Sequence, residues 1–277
     1  MCNGSIMDKL ISFSLPLMVS GILQLAFNAV DIIVVGRFSG SQALAAVGST
    51  TALINVFTNL FIGISLGANV LAARFYAAGK DREMSETVHT SITLALISGI
   101  MMAVIGVLLA KWALEIMGTP DDVIGQSALY MRIYFMGMPF FMLYNYGAAI
   151  LRAIGDTKRP LIFLIISGIA NAALNMILVI LFHMGVAGVA IGTIISQLIS
   201  CVLVLTCLYR SEGSYQLRFS KLKINGAYME QIFQVGVPAG IQSTVINLSN
   251  ALLQSSVNSF VSIAMAGYTA ANNMLGF

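Results

Sequence analysis

The sequence predicts an all-α protein, a polytopic membrane helix bundle, and three observations predict it. Charged residues make up 9% of the 277 and apolar ones 58%, whereas soluble domains carry roughly 25% charged residues. So few charges cannot cover a water-facing surface, so lipid is the solvent over most of the chain. The apolar residues also fall into runs of about 20 or more, the length an α-helix needs to cross a bilayer. Finally, lysine and arginine crowd into alternate connections, the pattern of a chain that crosses repeatedly.

The runs place spans at about 10–35, 53–73, 90–110, 127–151, 161–182, 185–208 and 235–257, with an eighth beginning near 260. The charged connection after the second span holds Arg74, Lys80 and Arg82. The next carries Trp112, Glu115, Pro120, Asp121 and Asp122. A basic turn with Arg152, Asp156, Lys158 and Arg159 follows, then a tight turn near His183, read as a solvated turn residue. The longest connection holds Arg210, Arg218, Lys221 and Lys223. With the N-terminus in the cytoplasm, eleven basic residues fall inside and three (Arg37, Lys111 and Arg132) outside, which favours that orientation in a plasma membrane.

Cys2, Cys201 and Cys207 have no metal-ligand spacing, and the last two read as packing residues. The first apolar run is too long for a cleavable signal peptide. No P-loop, HExxH or GxSxG is present, so neither an enzyme nor ATP-driven transport by this chain is expected, and no cofactor or metal. The net charge of +3 gives no reason to expect nucleic acid.

Polar residues inside the spans carry the chemistry. Asp31 is the one acidic residue inside an expected span, and Gln24, Asn28 and Asp31 share one helical face. A carboxylate at that depth persists if it faces the bundle interior, takes up a proton or binds a cation, unless it is hydrated at the membrane interface. Stripes at helical spacing recur elsewhere: Asn55 with Thr51 and Thr58; Asn171 with Asn175; Thr193 with Gln197; and Asn247, Asn250 and Gln254. Asn145 is a further candidate in the fourth span. Such side chains act as interhelical glue or line a hydrated cavity, and stripes on four helices favour a cavity. The glycine pairs Gly63/Gly67 and Gly188/Gly192 have the spacing of close helix packing. The 16 methionines suit either an adaptable pocket or lipid-facing filler.

A faint repeat is also present. LPLMVSGI from Leu15 and ALAAVGSTTAL from Ala43 return as VPAGIQS from Val237 and AMAGYTAANNM from Ala264. Transporter folds are commonly built this way. Residues 1–212 therefore read as a six-helix N-terminal lobe, 213–231 as a cytoplasmic linker, and 232–277 as the first one to two helices of a second lobe. On this reading the chain is C-terminally truncated.

Six segments in order resemble the multidrug and toxic compound extrusion (MATE) transporters, and their DinF-like branch above all. They are Pro16 to Asp31 with VVGRF and ALAAVG; GISLGANVLAARFYAAGKD from Gly63; LRAIGDTKRP from Leu151; NAALNMIL from Asn171; GVAGVAIGTIISQ from Gly185; and GVPAGIQS from Gly236. The resemblance implies two six-helix lobes in an inverted-V arrangement and a monomeric antiporter in the lipid bilayer. It would export small organic cations or drugs against protons or sodium by alternating access. It also implies that Asp31 is the coupling carboxylate, with Gln24, Asn175 and Thr193 beside it. Two positions depart from patterns in that family: Val179 stands where some members carry a second Asp, and Ile246 where one branch carries a Glu. The first departure weakens a sodium site and favours protons. The alternative is a flippase for lipid-linked oligosaccharides or lipids of the same superfamily, which would need more cationic residues in the cavity than Arg132 supplies.

Overall fold

The computed structural model describes residues 6–116, 119 and 121–258 and, in its last helix, side chains as far as Ile246. These residues form α1 (Ile6–Phe38), α2 (Gly40–Ala77), α3 (Asp81–Ile116), α4 (Asp121–Met136), α5 (Met138–Ala153), α6 (Lys158–Met176), α7 (Gly185–Arg210) and α8 (Gly226–Asn258). Among the described residues five helices are long and apolar enough to cross a membrane: Leu10–Phe38, Ala46–Ala77, Asp81–Ile116, Lys158–Leu181 and Gly185–Arg210. The protein is a multi-pass membrane protein. Its many exposed leucines, isoleucines and methionines, such as Leu108, Leu181 and Met18, form the lipid-facing surface.

The fourth expected span, 127–151, is not one helix. It breaks at Gly137 into α4 and α5. Pro139 has no N–H to continue the ladder and disfavours helical geometry at Met138. The Gly137 N–H donates to the Tyr134 carbonyl at 3.0 Å, while its own carbonyl receives the Phe140 and Phe141 N–H groups. A Cβ at Gly137 would press on Gln197 Oε1 and Ile194, so the break also lets α7 approach. Trp112 and Glu115, read as loop residues, instead lie within α3 and are exposed. The last helix begins inside the segment read as linker. Asn225 starts it, its Oδ1 accepting the Ala227 N–H at 3.1 Å.

Phe135, Met131, Met138, Met142 and Tyr146 of α4 and α5 are buried in a core shared with α2, α3 and α7. The methionines divide, for Met7, Met18 and Met176 are exposed. On the other side of α2 runs its most extensive contact, with α8. Gly63 and Gly67 face Gly236 and Gly240 there, and a Cβ on any of the four would overlap the opposing backbone. Four glycines are needed because the two backbones touch.

The two ends of the bundle differ. At one end the α2–α3 turn, the α5–α6 turn and the connection 211–225 meet, bringing together Arg82, Arg159, Arg218 and Lys223. At the other, Phe38, Ser39, Ala43, Gln126, Val179 and His183 line a cavity of about 410 Å³. His183 is exposed and adopts φ 51, the left-handed conformation of a tight turn.

Candidate functional site

Asp31 lies about two turns before the end of α1. Its Oδ1 accepts a hydrogen bond of 2.5 Å from Nδ2 of Asn175 on α6. The same Nδ2 lies 3.4 Å from Oδ1 of Asn171, one turn back. Asn171 Nδ2 in turn approaches the Thr193 hydroxyl on α7 at 3.5 Å, at the limit of a hydrogen bond. The four side chains form a chain of polar contacts from α1 through α6 to α7, as their helical spacing allows. Asn175 is fully buried and Asn171 nearly so, whereas Asp31 is half-buried.

Local sequence builds this arrangement through two glycines. Gly192 on α7 lies directly beneath the Asn175 carboxamide, and a Cβ there would overlap its Oδ1. Gly168 on α6 receives the ring of Phe27, so α1 seats against α6 one turn before Asp31 reaches Asn175. Immediately after Asn175 the helix widens into a π-turn, Ile177–Leu181. Such turns are frequent at functional sites, because the extra residue re-aims the side chains around it. Val179, fully buried, sits within this turn.

Asn175 Oδ1 is buried and has no hydrogen-bond partner. It faces the α7 backbone at Gly192, where a Cβ would overlap it. Val179 supplies no second carboxylate there. Among the described residues no group of three His, Cys, Asp or Glu could hold a metal ion.

Gln197 lies on α7 one turn beyond Thr193. It is close to the Tyr134 hydroxyl, but its buried Oε1 forms no well-shaped hydrogen bond. Tyr130 and Tyr134, tilted against each other with ring centroids 6.0 Å apart on α4, lie within electrostatic range of Asp31. Other candidates make no hydrogen bond to Asp31, Asn171, Asn175 or Thr193 among the described residues. Gln24 and Asn28 are exposed on α1 and reach no hydrogen-bond partner among the described residues. Asn55 is exposed on α2. Asn145 donates to the Phe141 carbonyl of its own helix at 2.8 Å. The side chains of Asn247, Asn250 and Gln254 lie outside the described residues. The two tyrosines, Gly168 and the π-turn were not singled out from sequence, and Gly192 was singled out only as half of a glycine pair. The glycine spacing was visible, but it read as packing alone.

The family model MatE matches residues 16–177, more than half of the chain and a range that includes Asp31 and Asn175. Among curated relatives, the probable multidrug resistance protein YoeA of Bacillus subtilis is 33% identical over 96% of this chain and 59% of its own length. The multidrug export protein MepA of Staphylococcus haemolyticus is 26% identical over 99% of this chain and 61% of its own. The chain thus spans about three fifths of the length of these relatives. A crystal structure of MATE in the bent conformation superposes with a TM-score of 0.89 at 21% identity, over 98% of this chain and 60% of that one. A transporter of the MOP superfamily from Pyrococcus furiosus superposes equally well. The family match, with this fold and the polar contacts of α1, α6 and α7, makes the chain a member of the MatE family.

Proposed function

We propose that the chain belongs to a secondary active antiporter that exports organic cations or drugs in exchange for protons, or sodium, by alternating access. In this reading it sits in the plasma membrane as a monomer with its N-terminus and its basic end in the cytoplasm. One observation outside the site supports the reading: the relatives are named for multidrug resistance and export.

The observation that carries it is the hydrogen bond from Asn175 to Asp31. An ionised Asp31 accepts a charge-assisted bond, which is roughly twice as strong as a neutral one. Proton uptake weakens that bond, and α1 then keeps Phe27 on Gly168 as its neighbouring contact with α6. The charge on Asp31 thereby biases two positions of α1, and ion movement can be exchanged for drug movement. The site offers no cationic side chain for a pyrophosphate, since Arg132 is exposed, so nothing observed favours the flippase alternative.

The test is efflux of a fluorescent organic cation from cells making the protein, beside the Asp31→Asn variant, with and without a protonophore. Efflux is expected to vanish in the variant and in the protonophore arm. Efflux by Asp31→Asn that still collapses with the proton gradient would sink the role given to Asp31.

A further inference from the structure

The connection between α7 and α8, residues 211–225, is tied to the first turns of α3. Asn225 Nδ2 donates to Glu86 Oε2 at 2.8 Å, the Asn225 N–H donates to the Thr90 hydroxyl at 3.2 Å, and that hydroxyl reaches the Lys223 carbonyl at 3.4 Å. Between Glu86 and Thr90 lies His89, which is 4% exposed. Its Nδ1 is 2.6 Å from the Ser85 carbonyl oxygen, and its Nε2 is 3.1 Å from the backbone nitrogen of Arg218.

These two partners fix the protonation of the ring. A carbonyl oxygen only accepts, so Nδ1 carries the hydrogen. A backbone N–H only donates, so Nε2 is bare. The imidazolium carries hydrogen on both nitrogens and cannot accept from Arg218. Histidine is the side-chain type that changes charge between about pH 5 and 8.

We propose that His89 is a proton-operated latch: the neutral ring holds residues 211–225 and the start of α8 against α3, and uptake of one proton releases Arg218. The inference stands apart from the substrate and coupling ion proposed above. The elements packed at the latch carry further charged or titratable groups. α3 itself carries Glu83 and Glu86, the second engaged by Arg82 and Asn225. The connection carries Arg218, Lys221 and Lys223. α8 contributes Tyr228 and Glu230, α2 contributes Arg74 and Tyr76, and α5, which packs on α3, ends in Arg152. Because Asn225 also begins α8, release reaches the helix that packs on α2.

The test is hydrogen–deuterium exchange of the purified protein at about pH 7.5 and about pH 5.5, with rates corrected for intrinsic pH dependence. Amides of 211–225 are expected to open about fivefold more readily at the lower pH, the effect of losing one hydrogen bond, while α2 and α5 do not change. His89→Ala should open the segment at both pH values and abolish the step. Glu86→Gln keeps an acceptor for Asn225 and removes the second titratable group, so there the step should persist. The latch is overturned by no step in the unmutated protein, by a step that survives His89→Ala, or by one that disappears in Glu86→Gln.

Discussion

Two helix seams in this molecule use glycine for opposite purposes. Between α2 and α8, four glycines let two backbones touch, and a Cβ on any of them would strike the opposing main chain. Between α1, α6 and α7, Gly168 and Gly192 admit side chains instead, the Phe27 ring and the Asn175 carboxamide. The first seam is a fixed contact with nothing adaptable in it. The second is a socket whose occupants can turn or leave. Burial sets α1 apart from α2, α6 and α7, for 11% of its most apolar window is buried, against 44% for α2 and for α7 and 28% for α6. If transport proceeds by the alternating access proposed above, which needs one element that stays and one that moves, this difference suits α2–α8 to the first role and α1 to the second.

The largest expected effect is at the fixed seam. Gly63→Ala places a methyl group on the Gly240 Cα, which cannot turn aside, so the helices must separate. The cost is about 1–3 kcal/mol, the usual range for overpacking, seen as a fall of several degrees in the melting temperature of the purified protein. A melting temperature unchanged by Gly63→Ala would mean that the seam opens easily and the contrast with α1 fails.

At the socket the same substitution should act on function rather than on stability. The Cβ of Gly192→Ala meets the far end of the Asn175 side chain, which can rotate. Rotation takes Nδ2 away from Asp31. Hydrogen bonds to charged groups contribute about 1.5–3 kcal/mol, so coupled efflux should drop about tenfold or more while the melting temperature moves little. Loss of stability without loss of efflux would reverse the assignment.

The spans and the membrane setting were legible in the sequence, and helical periodicity put Asn171 and Asn175 on one face. That Asp31 meets Asn175 and Thr193 came only from the family resemblance, because spacing within a helix says nothing about which helices pack together. The break at Gly137 was not legible, since an apolar run looks the same on either side of Pro139. Nor was the π-turn, which has no signature in ILVIL. Gln24 and Asn28 share the Asp31 face by spacing and both are exposed; periodicity gives an angle around the helix and does not say what packs there. Gly192 shows the limit most clearly: its GxxxG spacing is the same whether the glycine meets a backbone or a carboxamide.

A smaller effect is expected at the end of the polar chain. The Thr193 hydroxyl already donates to the Val189 carbonyl at 2.9 Å, and its contact with Asn171 is long. Thr193→Val therefore removes about 0.6 kcal/mol, the average for such contacts between membrane helices. Efflux should fall no more than about threefold. A loss as deep as that of Asp31→Asn would mean that Thr193 touches the coupling ion itself.

The smallest effect separates mobility from packing. Gly21 lies in α1 between Pro16 and Gln24, and a Cβ there would meet nothing within 4 Å. Alanine is favoured over glycine inside a helix by about 0.5–1 kcal/mol, so Gly21→Ala should raise the melting temperature by a few degrees at most. Its influence on transport depends on whether α1 bends or moves as a rigid rod. Pro16 removes its backbone bond to the Ser12 carbonyl, and Gly21 lowers the helix preference five residues further on; if α1 bends through this stretch, a stiffer helix would slow efflux. If α1 instead swings as a unit about the Phe27–Gly168 contact, efflux by Gly21→Ala will equal that of the unmutated protein. The hinge then lies at α6, and the socket alone carries the motion.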